Sequence, residues 1–416
     1  MRRFVAVSAA VLAGFGLLTT SGSANSESAL SENAVPVLAQ QAAGGWVGTW
    51  AAAPAAAVPN TPDGYPGYSI RNVVHTSAGG GRARVHLSNA FGAAPLTFGH
   101  VTVAVQGTGP DAVPGTLRSL TFGGAASVVV PAGAEALSDP VNLRVPADTN
   151  LLVTTYVPAK SGPVTYHPAA AQTSYFTRNG DFAASESGTP YTEQTSVWHY
   201  VSGVDVQGGA PGPNATASIV TLGDSITDGV GSATGANHRW PDYLADRLHG
   251  RYGVLNAGIS ANRLLLDVPG SGAGQNALAR FDRDVLSVGG VRTIIVLEGI
   301  NDIQQTPHQT DPNAITSAYR QLVAQAHARG IRVLGGTLTP FKGWRVYDDT
   351  LEATRQAVNA FIRTSGVFDG VVDFDAAVRD PADPLRMLPA YDSGDHLHPA
   401  DAGYERMAAA VPLDRL

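Results

Sequence analysis

The chain has 416 residues, with no cysteine and very little lysine. Without cysteine, the sequence excludes a disulfide scaffold, a thiol nucleophile and a cysteine-ligated metal. Neither Lys160 nor Lys342, the only lysines, follows a glycine, so a P-loop nucleotide site is excluded. The G-x-S-x-G elbow of ordinary α/β-hydrolases is also missing, and no G-x-G-x-x-G stretch fits a dinucleotide site. Any catalytic activity must therefore use residues other than cysteine and motifs other than these three.

The overall composition indicates a globular protein that does not bind nucleic acid. Hydrophobic residues make up 44% and charged residues 15%, which is too apolar for a disordered chain and enough for sizeable cores. The net charge of −7 leaves no basic face for a nucleic acid. The length predicts two to three domains.

The N-terminal sequence predicts export. Arg2 and Arg3 precede an apolar segment, residues 4–18, and small residues continue to Ala24. This pattern is typical of a signal peptide over residues 1–24, followed by a flexible leader over 25–44. The alternative, a membrane anchor, is less favoured because the apolar segment is short for a bilayer. We therefore expect a secreted protein without a stable membrane anchor.

Residues 45–206 predict an all-β domain. Short β-type runs such as "RARVHLS" and "ASVVVP" alternate with turns rich in Gly, Pro, Asn and Asp, and no window has a convincing helical period. We expect an antiparallel sandwich here. A Gly- and Pro-rich stretch, residues 207–217, then predicts a linker.

Residues 218–416 predict an α/β domain. Apolar strand candidates alternate with amphipathic stretches, which favours a parallel, doubly wound sheet. The strand candidates are residues 218–224, 252–258, 292–299, 331–339 and 370–378. Ligands of such sheets bind at the carboxyl ends of the strands. Ser225, Gly258 and Asn301 all fall near such ends.

These residues, with a C-terminal pair, offer the parts of a serine hydrolase. Ester hydrolysis by serine needs a nucleophile, a base, a group that orients the base, and donors for the oxyanion. In "GDHLHP", Asp395 lies three residues before His398 and could fold back onto its imidazole. A backbone amide at Gly258 and the side-chain amide of Asn301 could act as donors.

Four segments, taken in order, resemble the sequence blocks of the SGNH (GDSL-type) hydrolases. They are "GDSITDG", "NAG", "GIND" and "DHLHP". The resemblance covers about residues 216–416 and implies a flavodoxin-like three-layer α/β/α fold. It implies Ser225 as nucleophile, His398 as base and Asp395 as its orienting acid. It also implies an oxyanion hole from the Ser225 amide, Gly258 and Asn301, with no metal or other cofactor.

The N-terminal segments "GTWAAAP" and "HTSAGG…LSNAFG" resemble a secreted bacterial subgroup of that family, associated with xylan degradation. This resemblance implies a serine esterase acting on small-molecule or polysaccharide esters, foremost short acyl (acetyl) esters of carbohydrates. Two alternatives stay open: a lipase or phospholipase, and a polysaccharide-binding surface protein with a vestigial hydrolase domain.

Several acids and histidines near these blocks have a structural alternative. We expect Asp224, Asp228 and Asp302 to hydrogen-bond loop amides rather than to react. Asp392 is a rival to Asp395 as the orienting acid, although its spacing to His398 fits less well.

The H-x-H pair formed by His396 and His398 has no further clustered ligands, so a metal site is not favoured. Glu298, just before the "GIND" segment, differs from the apolar residue or glycine common at that position in the family, and its side chain can face either the core or the site.

Overall fold

The computed structural model describes residues 45–208, 215–268 and 272–416. The predicted signal peptide (1–24), the leader (25–44) and residues 209–214 of the predicted linker lie outside the described residues. The domain boundaries proposed from the sequence therefore stay a prediction.

Within the described stretch 45–208, the regular elements are strands and turns, without a helix. The strands are β1 Val47–Ala51, β2 Ala56–Ala57, β3 Tyr68–Thr76, β4 Gly80–Ser88, β5 Leu96–Phe98, β6 His100–Val105, β7 Arg118–Ser119, β8 Val128–Val130, β9 Glu135–Leu137, β10 Val141–Val145, β11 Thr149–Val157, β12 Thr165–His167, β13 Ser174–Thr177, β14 Glu193–Thr195, β15 Trp198–His199 and β16 Val201–Gln207. This confirms the prediction of a β-rich N-terminal region.

Two antiparallel sheets enclose the core of this region, which is called the β-domain below. One has the order β1-β16-β4-β10, with β9 also paired to β4, and the other has the order β14-β13-β3-β11-β6-β7. Buried side chains from both sheets, such as Val74, Val85 and Val153, belong to one apolar cluster. Trp50 and Trp198 pack edge to face within it, their ring centroids 5.0 Å apart. Two smaller sheets, β15-β12-β2 and β5-β8, complete the domain.

The second region, from residue 218 onward, contains a parallel sheet with intervening helices. Its strands are β17 Ser218–Gly223, β18 Gly253–Gly258, β19 Val291–Leu297, β20 Arg332–Gly336 and β21 Gly370–Val372. The helices are α1 Ser225–Asp228, α2 Trp240–Leu248, α3 Ala277–Phe281, α4 Ile300–Gln304, α5 Pro312–His327, α6 Asp349–Thr364, α7 Phe374–Val378 and α8 Asp401–Ala409. A π-helical turn, Asp282–Leu286, continues α3, and a 3₁₀ turn, Leu413–Arg415, follows α8. None of the described helices is long and apolar enough to cross a bilayer.

The strand order places the candidate residues at one point of the sheet. The order is β18-β17-β19-β20-β21, with every neighbouring pair parallel. This is the 2-1-3-4-5 order of flavodoxin-like folds, in which the first and third strands flank the topological switch point. Ser225 follows the first strand and Asn301 the third, so both lie beside the crevice that opens there.

One predicted strand is shorter than the sequence pattern suggested. Of residues 370–378, only Gly370–Val372 are a strand, and Phe374–Val378 form a helix. Asp373 ends the strand because its side chain accepts a hydrogen bond from the Ala376 amide and so caps the helix. The apolar run "VVDFDAAV" was therefore wrongly assigned to one element, because short apolar runs do not distinguish strand from helix.

The β-domain and the α/β region are joined by hydrogen bonds between their backbones and side chains. Ser77 Oγ donates to Val254 O at 3.1 Å and accepts from Val254 N at 2.8 Å. Gly48 N donates to Ser218 Oγ at 3.0 Å, and Ala52 forms a parallel bridge with Asn256. The chain after β1 thus runs beside β18, the edge strand nearest the candidate nucleophile.

Candidate active site

Ser225 begins α1, a single helical turn directly after β17. Asp224 is the N-cap, and its Oδ1 accepts a hydrogen bond from the Ile226 amide at 2.9 Å. The turn ends at Gly229, whose φ of 101° is left-handed. Because Ser225 is the first helical residue, its amide has no partner within the turn, and it has none among the other described residues.

His398 joins Ser225 to a carboxylate. His398 Nε2 lies 2.9 Å from Ser225 Oγ, and its Nδ1 lies 2.6 Å from Asp395 Oδ2. Since a carboxylate only accepts, Nδ1 carries the proton, and the Nε2 lone pair faces the serine hydroxyl. The three side chains therefore form a continuous hydrogen-bonded chain in the order that nucleophilic catalysis requires.

The loop that contains Asp395 holds this carboxylate in its ionised form. Burial raises the pKa of Asp395, but the hydrogen bonds from the His398 ring and from the amides of His398 and Leu397 lower it by more. The net shift is below the usual aspartate value. Asp395 thus keeps its negative charge next to the His398 ring.

The rival acid Asp392 serves a different histidine. Its Oδ2 lies 2.7 Å from His396 Nδ1, and its Oδ1 accepts from the amides of Gly394 and His396. The two acids and two histidines thus form separate pairs. Each imidazole of the H-x-H motif faces its own carboxylate through Nδ1, and in the described part of the chain no cluster of ligands could hold a metal ion.

The Asn301 amide is fixed in orientation by its neighbours. Its Oδ1 accepts from Gln304 Nε2 at 2.7 Å, and its Nδ2 donates to Asn262 O at 2.8 Å. One N–H of Nδ2 is left for a ligand. Gln304 Oε1 in turn accepts from Trp344 Nε1 at 3.0 Å, and the Trp344 ring meets the His398 ring edge to face at 6.2 Å.

Gly258 differs from its predicted role as an oxyanion donor. Its amide donates to Asn256 Oδ1 at 2.8 Å, so this N–H already has a partner. A side chain at this position would come within 2.4 Å of the Asp228 amide nitrogen, which explains the glycine by packing. The structure therefore places Gly258 beside α1, with its amide bonded to Asn256 and not free for a ligand.

The loop after β18 contains one amide that the sequence did not single out. The amides of Ile259, Ser260 and Asn262 bond to Gly223 O, Asp228 Oδ2 and Ile259 O. The Ala261 amide has no hydrogen-bond partner among the described residues, and Ala261 is exposed, with a left-handed φ of 63°. Its two neighbours contact Asp228 and Asn301, so Ala261 lies between the serine and asparagine loops. The sequence does not predict this free amide, because alanine rarely adopts a left-handed φ and nothing marks this position as an exception.

A buried cation lies beneath these loops. Arg280 donates from Nη2 to Gly223 O at 3.0 Å, from Nη1 to Ala257 O at 2.7 Å and from Nε to Asn262 Oδ1 at 3.0 Å. It also contacts Asp284 at 3.3 Å. One guanidinium group thus fixes the ends of β17 and β18 and the loop after β18.

Glu298 faces this buried layer and not the solvent. It is fully buried, and its nearest cationic atom is Arg280 Nη2 at 4.0 Å. Burial raises the pKa of Glu298 well above the usual value, and the charge of Asp224 adds to this. Burial likewise raises the pKa of Asp224 to about 7. The pair therefore retains a proton under conditions in which exposed carboxyl groups are ionised.

Comparison with known proteins finds a family model that matches the part of the chain containing this site. Residues 221–406 match the model of the GDSL-like lipase/acylhydrolase family. No curated protein matches the chain. Among solved structures, the M. smegmatis aryl esterase is 18% identical, with a TM-score of 0.39, over 47% of this chain and 95% of its own.

Two further solved structures are similar over slightly less than half of the chain. A carbohydrate acetylesterase from Sinorhizobium meliloti is 18% identical, with a TM-score of 0.37, over 47% of this chain and 95% of its own. A GDSL-like lipase from Bacteroides thetaiotaomicron VPI-5482 is 18% identical, with a TM-score of 0.34, over 46% of this chain and 84% of its own.

The separate pairing of the two acids predicts that only one of them affects catalysis. In Asp395→Asn the amide can no longer fix the proton on His398 Nδ1, so kcat should fall by about 10³-fold or more. In the matched variant Asp392→Asn only the His396 contact changes, and kcat should stay within about threefold. Steady-state hydrolysis of an aryl acetate measures both. Equal losses in the two variants would contradict the assignment.

The buried Glu298 predicts a pH-dependent stability. A carboxyl group whose pKa is raised on folding stabilises the protein at low pH, and this contribution is lost as the pH rises from 4.5 to the folded-state pKa. Relative to Glu298→Gln, the wild type should lose up to about 1.4 kcal/mol of unfolding free energy per pH unit in this range. Urea unfolding at pH 5, 6, 7 and 8 measures the difference.

Glu405→Gln provides the control, because Glu405 is exposed on α8. This variant should follow the wild-type curve at every pH. If the curves of Glu298→Gln and the wild type run parallel, Glu298 is ionised in the folded protein and the argument from burial is wrong.

Proposed function

Since residues 221–406 form a GDSL-like lipase/acylhydrolase domain and the protein is a carboxylic ester hydrolase, we propose that it cleaves short-chain acyl esters, foremost acetyl esters, of carbohydrates. The observation that carries the mechanism is the chain of contacts from Ser225 Oγ to His398 and on to Asp395, at 2.9 and 2.6 Å.

In the proposed reaction, Ser225 Oγ attacks the ester carbonyl carbon while His398 Nε2 takes the hydroxyl proton. Asp395 stabilises the imidazolium that forms. The tetrahedral intermediate then expels the alcohol, which receives the proton from His398, and leaves the acyl group on Ser225. A water molecule, deprotonated by the same imidazole, hydrolyses this acyl-enzyme and restores the serine.

The negative oxygen of the intermediate needs donors aimed at it before the reaction begins. The Ser225 amide and the second N–H of Asn301 Nδ2 have no partner among the described residues and suit this role. For the third donor we propose the Ala261 amide in place of Gly258, because the Gly258 amide is bonded to Asn256.

The surface of the catalytic region supports a short acyl chain. A long chain needs a contiguous apolar groove. Among large apolar residues in the described part of 218–416, Leu266 alone is exposed, with 43% of its surface accessible. Ser225 itself is only 6% exposed, so little of its surface is available to a bulky acyl chain. Both features favour acetyl over lipid esters.

The alcohol side of the site supports a sugar. Trp344 is half-buried beside His398, and its indole N–H is held by Gln304. Such a ring offers an apolar face framed by polar groups, which suits a molecule with both characters, such as a sugar ring. We also propose that the enzyme acts outside the cytoplasm, on the strength of the charged and apolar segments in residues 2–18.

A series of aryl esters from acetyl to palmitoyl tests this function. We expect kcat/KM to be highest for acetyl and to fall steeply beyond butyryl, because Ser225 is largely buried. Ser225→Ala should lower kcat by several orders of magnitude on every ester, as loss of a nucleophile does. The rate of acetate release from acetylated xylan then tests the alcohol moiety.

The control is Ser232→Ala, which removes a hydroxyl seven residues further along the same loop, where Ser232 Oγ donates to Gly229 O. It should keep most of the activity. A maximum at eight carbons or more would identify a lipase-type acylhydrolase instead. Retention of more than a tenth of the activity by Ser225→Ala would overturn the assignment of the nucleophile.

A further inference from the structure

A buried histidine of the β-domain contacts the helix that carries Ser225. His167 ends β12, and its Nε2 lies 3.0 Å from Oδ1 of Asp228, the last residue of α1. Its Nδ1 lies 2.9 Å from Ala53 O. The two side chains are only 3% and 4% exposed. Water therefore does not compete for this contact.

The partners of His167 fix its protonation. A backbone carbonyl and a carboxylate are both acceptors, so a neutral imidazole could satisfy only one of them by donating. With a proton on each nitrogen, the imidazolium donates to both, and its charge is balanced by Asp228. Burial lowers the pKa of His167, but Asp228 and the Ala53 carbonyl raise it by more, so the net shift is upward.

The other charged group that faces His167 is Arg239, which lowers its pKa. The Arg239 guanidinium lies over the Trp198 ring, 5.3 Å from its centroid, and donates to Ala170 O. It is also 3.7 Å from Asp242. The Trp198 ring lies 5.5 Å from the His167 ring and contributes no charge. Asp228 is thus the anion that directly balances His167.

Asp228 passes this contact on to the active site. Its Oδ2 accepts from both the amide and the hydroxyl of Ser260, at 2.8 and 2.5 Å. Ser260 immediately precedes Ala261, whose amide we assign to the oxyanion hole. One carboxylate therefore joins the turn that begins with Ser225, the loop after β18 and the β-domain.

We propose that His167 is a positioning residue for ester hydrolysis, which holds Asp228, and through it the Ser225 turn and the Ser260–Ala261 loop, from the β-domain. This inference rests on the roles proposed above for Ser225 and Ala261. The β-domain is then part of the active-site scaffold, and its presence is required for full turnover.

Two substitutions at position 167 distinguish a positioning role from a role in packing alone. His167→Ala removes both donors and should lower kcat by about tenfold or more while KM changes by less than about twofold. In His167→Gln the side-chain amide can still donate to Asp228, and kcat should recover to within about threefold of the wild type.

The pH profile gives a readout that packing alone would not change. Because the His167 pKa is raised, the imidazolium donates to both Ala53 O and Asp228 at low pH, and as the pH rises through that value the ring loses its charge and can donate to only one of them. The wild-type kcat should therefore decline on its alkaline side. Glutamine does not titrate, so the decline should be absent in His167→Gln.

His199→Ala is the matched control. His199 is buried in the neighbouring strand β15 and pairs with Tyr166, the residue before His167, and burial lowers its pKa to about 4. Loss of this neutral ring should lower the melting temperature without changing the pH profile. If His167→Ala fails to fold, the profile of His167→Gln still decides the question.

Labelling with a phosphonate ester, followed by peptide mapping, separates this inference from the proposed function. Labelling of a residue other than Ser225 overturns both. Labelling of Ser225 together with an unchanged alkaline decline in His167→Gln overturns the positioning role alone. The same holds if His167→Ala and His199→Ala lose kcat equally.

Discussion

The contacts of one buried guanidinium group determine where the catalytic loops begin. Arg280 bonds to Gly223 O and Ala257 O, at the ends of two neighbouring strands, and to Asn262 in the loop that follows. A buried cation is costly unless it is paired, and Asp284 at 3.3 Å supplies the pairing. Because the group is planar and rigid, it fixes the relative positions of these three segments more closely than packing would.

The acids of the sequence motifs hold the loop after β18 from both sides. Asp228 accepts from Ser260 at the near end, and Asp302 accepts from the amides of Leu264 and Leu265 at the far end, at 2.6 and 2.9 Å. Asn301 is beside Asp302 and contacts the middle of the same loop. The motifs "DSITD" and "GIND" thus each contain one candidate catalytic residue and one acid that accepts hydrogen bonds from amides of this loop.

The sequence predicts the three side chains that the structure brings into contact, but it does not indicate which backbone amides beside them are free. Ser225, His398 and Asp395 could be predicted because each has a distinct chemistry and the strand pattern brings the ends together. The sequence favours Gly258 because no side chain hinders a glycine amide, yet Asn256, two residues earlier, accepts the hydrogen bond from that amide. Which amide in a loop is free depends on local hydrogen bonds, and these follow from the fold.

The same limit explains why the contact with the β-domain could not be read from the sequence. His167 is one of 11 histidines in the sequence, and its partner Asp228 is 61 residues away. Its distinguishing feature is that both ring nitrogens face acceptors and are buried, which only the folded structure reveals.

A buried ion pair adds little net stability, because desolvation offsets the attraction, but it penalises every arrangement that separates the charges. For a nucleophile on a single helical turn, which has little rigidity of its own, such a penalty defines its position.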